Sequence, residues 1–148
     1  MLRYAPRHDH APKMLAVAGT RLGLVPHPAA TPGAWALVVE GPPDMISARS
    51  RDLPTVAVAG DHAWETEWAG LLAGRHVSVV MHCDRAGRDA VQRIAGDLQP
   101  VGAVARVIDL APGRVDGYGL TDWLADHRHV PVRELAMALG APVISRVA

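Results

Sequence analysis

Phenylalanine is absent from this sequence, lysine occurs once, at Lys13, and cysteine once, at Cys83. The single cysteine excludes an internal disulfide and a cysteine-based zinc cluster, and it fits a reducing compartment such as the cytoplasm. No apolar run approaches the roughly 20 residues of a membrane-spanning helix, and the start, MLRYAPRHDH, lacks the apolar stretch of a secretion signal. An excess of either charge is also missing. The 15 basic and 15 acidic residues cancel, so the field of the whole chain would not draw in nucleic acid or an anionic membrane, and any such binding must be local. A soluble, cytoplasmic chain with no membrane partner is expected. Its 148 residues, 49% of them apolar, suffice for one sizeable core and are too few for two ordinary domains.

What is present falls into three parts. Residues 1–34 carry Pro6, Pro12, Pro26, Pro28 and Pro32 and no long periodic segment, so they read as an irregular lead-in with a short strand at Arg21 to Val25. From Trp35 the texture changes to short apolar runs, WALVVE, TVAVAG, VSVVMH and AVARVIDL, separated by helix-length segments. Runs of this kind predict strands buried on both faces of a parallel sheet. Asp61 is placed to cap a helix in which Trp64, Trp68, Leu71 and Leu72 form one stripe closed by Gly74. Asp84 is placed to cap RAGRDAVQRIAGDL, with Ala90, Val91, Ile94 and Leu98 on its buried face. The alternation predicts right-handed crossovers and a doubly wound α/β layer over 35–128. Residues 129–148 read as a short amphipathic helix and a strand-like tail.

In an open parallel sheet, ligands bind beyond the carboxyl ends of the strands, near the switch in strand order. The first strand delivers Glu40 there, the second Asp61, the third His82, Cys83 and Asp84. The fourth leads through Asp109 into a loop with Asp116 and Asp122. Carboxylates converging without matched lysines repel one another, and a hard divalent cation such as Mg²⁺ relieves this while binding phosphate oxygens. Plainer accounts stand beside this one. Glu40-Gly41 can simply mark a strand end and turn, and Asp61 and Asp84 are explained as helix caps. Arg85 and Arg88 form either a solvated face or a grip on a phosphate at the helix N-terminus. Trp64 and Trp68 read as core, Cys83 as a buried small residue, and His8, His10, His127 and His129 as exposed.

The order VVEGPPDMISARSRDLPTVAVAG, VVMHCDRAGRDAVQRI and DLAPGRVDGYGLTDWL, covering about Trp35 to His127, resembles the Toprim domain of bacterial, plasmid and phage primases. The preceding HAPKMLAVAGTRLGL resembles the end of the primase polymerase subdomain that leads into Toprim. The resemblance implies a Rossmann-like α/β layer with a mainly parallel four-stranded sheet flanked by helices. It also implies metal-dependent nucleotidyl transfer, the synthesis of RNA primers on single-stranded DNA. By resemblance Glu40 and Asp84 are catalytic; Glu40, His82, Asp84, Asp116 and Asp122 hold Mg²⁺ or Mn²⁺; Asp44 is a further site acid; and Arg85 and Arg88 contact nucleotide phosphates. Implied partners are single-stranded DNA, nucleotides, and primase or helicase domains supplied in trans, since no zinc module, helicase or complete polymerase subdomain is legible. Two departures fall on the metal side: His82 replaces the first acid of the family's DxD pair, and Gly119 stands where an acid is common. An imidazole offers one nitrogen where a carboxylate offers two oxygens, and Mg²⁺ prefers oxygen. Two rival expectations follow, a catalytically silent Toprim module that binds nucleic acid or a partner, and a Toprim-type metal-dependent nuclease.

Overall fold

The computed structural model describes residues 2–4, 14–16, 22–59 and 63–143. The lead-in contributes an antiparallel pair, β1 (Leu2–Tyr4) and β2 (Met14–Ala16). The remainder is built on four strands, β3 (Trp35–Glu40), β4 (Thr55–Val58), β5 (His76–Val80) and β6 (Val104–Val107). They lie in the order β4-β3-β5-β6, and every pairing is parallel. This is the expected α/β layer, a four-stranded parallel sheet flanked by helices.

The side chains explain the layering. Along β3, Leu37 and Val39 point to one face while Val38 points to the other, and Val56, Val58, Val77 and Val79 join Val38. On the Val38 face lies α2 (Arg85–Leu98), with Ala90, Val91, Ile94 and Leu98 buried as its stripe requires. On the Leu37 face lie α1 (Gly41–Arg49), α3 (Leu120–Asp126) and α4 (Val132–Ala138), through Ala48, Leu120, Leu124 and Leu135. Each fully buried Leu, Ile or Val contributes about 1.5–3 kcal/mol of transfer free energy, so the two clusters dominate the stability.

The helix-length segment after β3 is a helix: Pro42 and Pro43 fall in its first turn, where a missing N–H costs nothing, and Gly41, at φ +80°, makes the sharp exit from the strand. Two local expectations are corrected. The Trp64 to Leu72 stripe is realised as a 3₁₀ segment, Thr66–Leu72. Its period of about three residues per turn aligns Ala69 with Leu72 against the core and turns Leu71 outward, to 43% exposure. The fourth strand is not buried on both faces. Among the described residues β6 pairs only with β5 and forms a sheet edge, with Val104 53% and Val107 41% exposed. Of the expected strand at Arg21 to Val25, Arg21 lies outside the described residues, and only Val25 joins the sheet, by a single bridge to Ala57. Gly60, Asp61, His8, His10 and the strand-like tail from Ile144 likewise lie outside them. No described helix is long and apolar enough to cross a membrane.

The strand order itself locates a site. The chain leaves β3, crosses to β4 on one side and then returns past β3 to β5 on the other, so the switch lies between β3 and β5. Glu40 ends β3, and His82 follows β5 by two residues.

Candidate functional site

Beyond Val80 the chain crosses the rim through Met81, His82, Cys83 and Asp84, with a tight turn in which the Asp84 N–H donates to the His82 carbonyl at 2.9 Å, before α2 begins. Two features hold it there. The Cys83 N–H donates to the Tyr118 carbonyl at 2.8 Å and the Gly117 N–H to the Cys83 carbonyl at 3.1 Å, which lays the loop after β6 beside it. On the other side, a β-carbon at Gly87 would collide with the His82 carbonyl, so only glycine lets the first turn of α2 come this close. The glycine of the DRAGRDA run is explained by that approach.

His82 stands at the centre. Its backbone N–H donates to Glu40 Oε2 at 3.1 Å, its ring Nδ1 lies 3.4 Å from Glu40 Oε1, and its ring Nε2 donates to Asp44 Oδ2 at 3.1 Å. The other oxygen of Asp44 accepts from the Thr121 N–H at 2.9 Å and the Thr121 hydroxyl at 2.6 Å. Asp44 is buried, 4% exposed, yet fully partnered. A carboxylate facing each ring nitrogen favours the protonated form of the ring. The hydrogen bond to Asp44 raises the His82 pKa to about 8; burial opposes this, and the charges of Glu40, Asp44 and Asp84 add to it. For Asp44, burial pushes the carboxyl up, but the bonds from His82 and Thr121 outweigh it and hold the pKa below the usual carboxylate range.

The remaining acids are committed elsewhere. Asp84 Oδ1 accepts from the Gly87 N–H at 2.8 Å and caps α2. Asp122 Oδ2 accepts from the Gly119 N–H at 2.9 Å and caps α3. Asp116 is gripped by two nitrogens of the Arg114 guanidinium, at 3.1 and 2.7 Å, which lowers its pKa to about 2. Arg88 is tied to Asp109 at 2.9 Å and to the Ala111 carbonyl at 3.2 Å. Arg85 extends into solvent, its side chain 96% exposed and 4.0 Å from Asp89. Of the expected site residues, Glu40, Asp44 and His82 therefore meet, with Asp84 beside them, while Asp116 and Asp122 serve their own loop. Trp64 and Trp68 are core, and His127 is not solvated as expected: its ring stacks on Trp123 with centroids 4.2 Å apart. Thr121 was missed. Its signal, a hydroxyl residue at a helix start, is ordinary, and nothing local pairs it with an acid 77 positions away.

In this arrangement the His82 ring lies between Glu40 and Asp44, Asp84 and Asp122 each spend one oxygen on a backbone N–H, and a protonated ring would repel a cation, so these residues fit a Mg²⁺ ion poorly unless the ring moves. Among the described residues, no group of three His, Cys, Asp or Glu side chains is arranged to hold a metal.

No protein-family model matches the sequence, and no curated protein matches it significantly. Its structure is similar to that of the Aquifex aeolicus primase, solved as its zinc-binding and RNA polymerase domains, with a TM-score of 0.70 and 19% identity. The similarity covers 95% of this chain and 36% of that one, so the chain spans about a third of its neighbour's length. The fold is primase-like.

Proposed function

We propose that the chain is a Toprim-type module of a primase-like replication protein, and that its rim, in the arrangement described, binds nucleic acid or a replication partner without transferring nucleotides by itself. One observation carries the second half of this reading: the His82 ring lies between Glu40 and Asp44 with a nitrogen facing each carboxylate, and so occupies one of the two acids, Glu40, that the resemblance assigns with Asp84 to a divalent metal. The primase-like fold and the Glu40, DRAGRDA and DWL motifs support the first half. Single-stranded DNA is the partner this reading favours, with Arg85, standing clear of the helix start, as its phosphate contact. Primer synthesis, on this reading, belongs to the assembled protein.

A second reading keeps metal-dependent nucleotidyl transfer in this module. It is favoured by Glu40 ending β3 and Asp84 following the neighbouring parallel strand β5 at the start of α2, and it requires the His82 ring to leave its present position. The test compares the native chain with His82→Asp for Mn²⁺ binding, for binding of labelled single-stranded DNA, and for primer synthesis with a primase polymerase core supplied. DNA binding by both, with Mn²⁺ binding only in the aspartate form, is the expected result. Primer synthesis by the native chain that disappears in Glu40→Ala would establish the second reading instead. Cleavage of the DNA without nucleotides present would make the module a nuclease.

A further inference from the structure

The seat of the His82 ring is made by a residue no carboxylate argument would single out. Gly119, at the start of α3, faces the ring so closely that a β-carbon there would lie 2.6 Å from His82 Cδ2, 2.8 Å from its Nε2 and 3.2 Å from Asp44 Oδ2. Real β-carbons do not approach a ring at such distances, so the ring or the backbone must give way. The φ of Gly119 is −121°, which any residue adopts, so backbone freedom does not explain glycine here. The Gly119 N–H is engaged by Asp122, and α3 is anchored through Leu120 and Leu124 in the core, so the backbone side of the contact is the stiffer one.

We propose that Gly119 is a positioning residue for His82: ring and bare Cα form a plug and seat, and the missing side chain at 119 is what allows an imidazole to lie between Glu40 and Asp44. This rests on the reading of the rim as the functional site. It adds that the two departures from the family pattern, His82 and Gly119, are one structural change, coupled through a single contact.

The test is a double-mutant cycle in the full chain, with Gly119→Ala made in the native background and in His82→Ala, read by thermal unfolding and by NMR of the His82 ring. In the native background Gly119→Ala should lower Tm by roughly 5–10 °C, the cost of an overpacked contact in a domain of this size, and should shift the His82 ring signals as the ring loses its carboxylates. In the His82→Ala background, which is itself destabilised, the same change should cost at most about 2 °C. Should Gly119→Ala fail to fold alone but fold when combined with His82→Ala, the coupling is likewise established. Equal losses in both backgrounds, failure to fold in both, or unshifted His82 signals in Gly119→Ala would overturn it. Binding of labelled single-stranded DNA by the native chain, Gly119→Ala and His82→Ala separates the two ideas. Coupling without any change in DNA binding would count against the rim as the binding site while leaving the plug and seat intact.

Discussion

At the β3–β5 rim the interacting polar groups come from distant parts of the chain: Glu40 from a strand end, Asp44 from α1, His82 from beyond β5 and Thr121 from α3. In the loop after β6 they come from neighbours: Arg114 pairs with Asp116 two positions on and lies over the Tyr118 ring, 4.2 Å from its centroid. The side chains differ as sharply in exposure, 5% for Asp44 and 16% for Glu40 against 50% and 56% for Arg114 and Asp116. Both places hold an acid and a cation at bonding distance. Of the two, the rim pairing joins three elements of the fold, and there the buried Asp44 carboxylate is the group that water would replace least well. The two pairs thus differ in burial and in long-range connection, not in their kinds of charge.

The sharpest way to break the contrast is Asp44→Ala. It strips the His82 ring and the Thr121 hydroxyl of a common buried partner, and removing one member of a buried pair costs about 3 kcal/mol or more. A urea titration should show the midpoint falling accordingly; a fall no greater than that of an exposed acid would mean that the rim network contributes nothing. Next comes Gly87→Ala, which drives a β-carbon into the His82 carbonyl and should cost about 1–3 kcal/mol in the same titration, with the helical circular dichroism of the chain otherwise kept.

Acidity sharpens the comparison further. The folded pKa of His82, about 8, lies above its usual 6.5, so its contribution is fully present below about pH 6.5 and is lost as pH rises through 8. Asp44 runs the other way: its pKa is lowered on folding, so its contribution is present above the ordinary carboxylate range and lost in acid. Stability should thus fall on both sides of a mildly acidic plateau that ends near pH 6.5, the alkaline fall amounting to about 1 kcal/mol after solvent screening of a ring one-third exposed. Denaturation midpoints between pH 6 and 9 check this, and His82→Ala should flatten the alkaline side. The smallest effect is expected from Asp116→Ala, whose partner Arg114 is simply rehydrated: the urea midpoint should stay within experimental error.

Much of the fold was legible because its signals are local. WALVVE forms β3 and RAGRDAVQRIAGDL forms α2 over the residues read from the sequence, since an apolar run and a capped 3.6-residue stripe each declare themselves within one window. The misreadings fall where neighbours decide. AVARVIDL has the apolar texture of a central strand, yet it lies at an edge because nothing pairs beyond it among the described residues. GPPDMISAR, of helix length but without an apolar stripe, packs as α1 through Ala48. Leu71 fits an α-helical stripe and faces solvent because the segment winds as 3₁₀.

The candidate site divides along the same line. Glu40, His82 and Asp84 were placed at one rim by strand-end reasoning alone, since a parallel sheet brings the carboxyl ends of its strands to one edge. What each does there was not legible. That His82 bonds Glu40 and Asp44, 42 and 38 positions away, that Asp84 turns to cap α2, and that Asp116 is held by Arg114 depend on side-chain directions set by packing.

By itself, then, the sequence determined the layer, its strands, the long helix and the rim where acids gather, because apolar periodicity and caps act over a few residues. Only the tertiary structure decided that a histidine ring would lie between Glu40 and Asp44 at that rim and that Gly119 would make room for it. Those outcomes depend on sub-ångström fit between segments far apart in the chain, and no local pattern encodes such a fit.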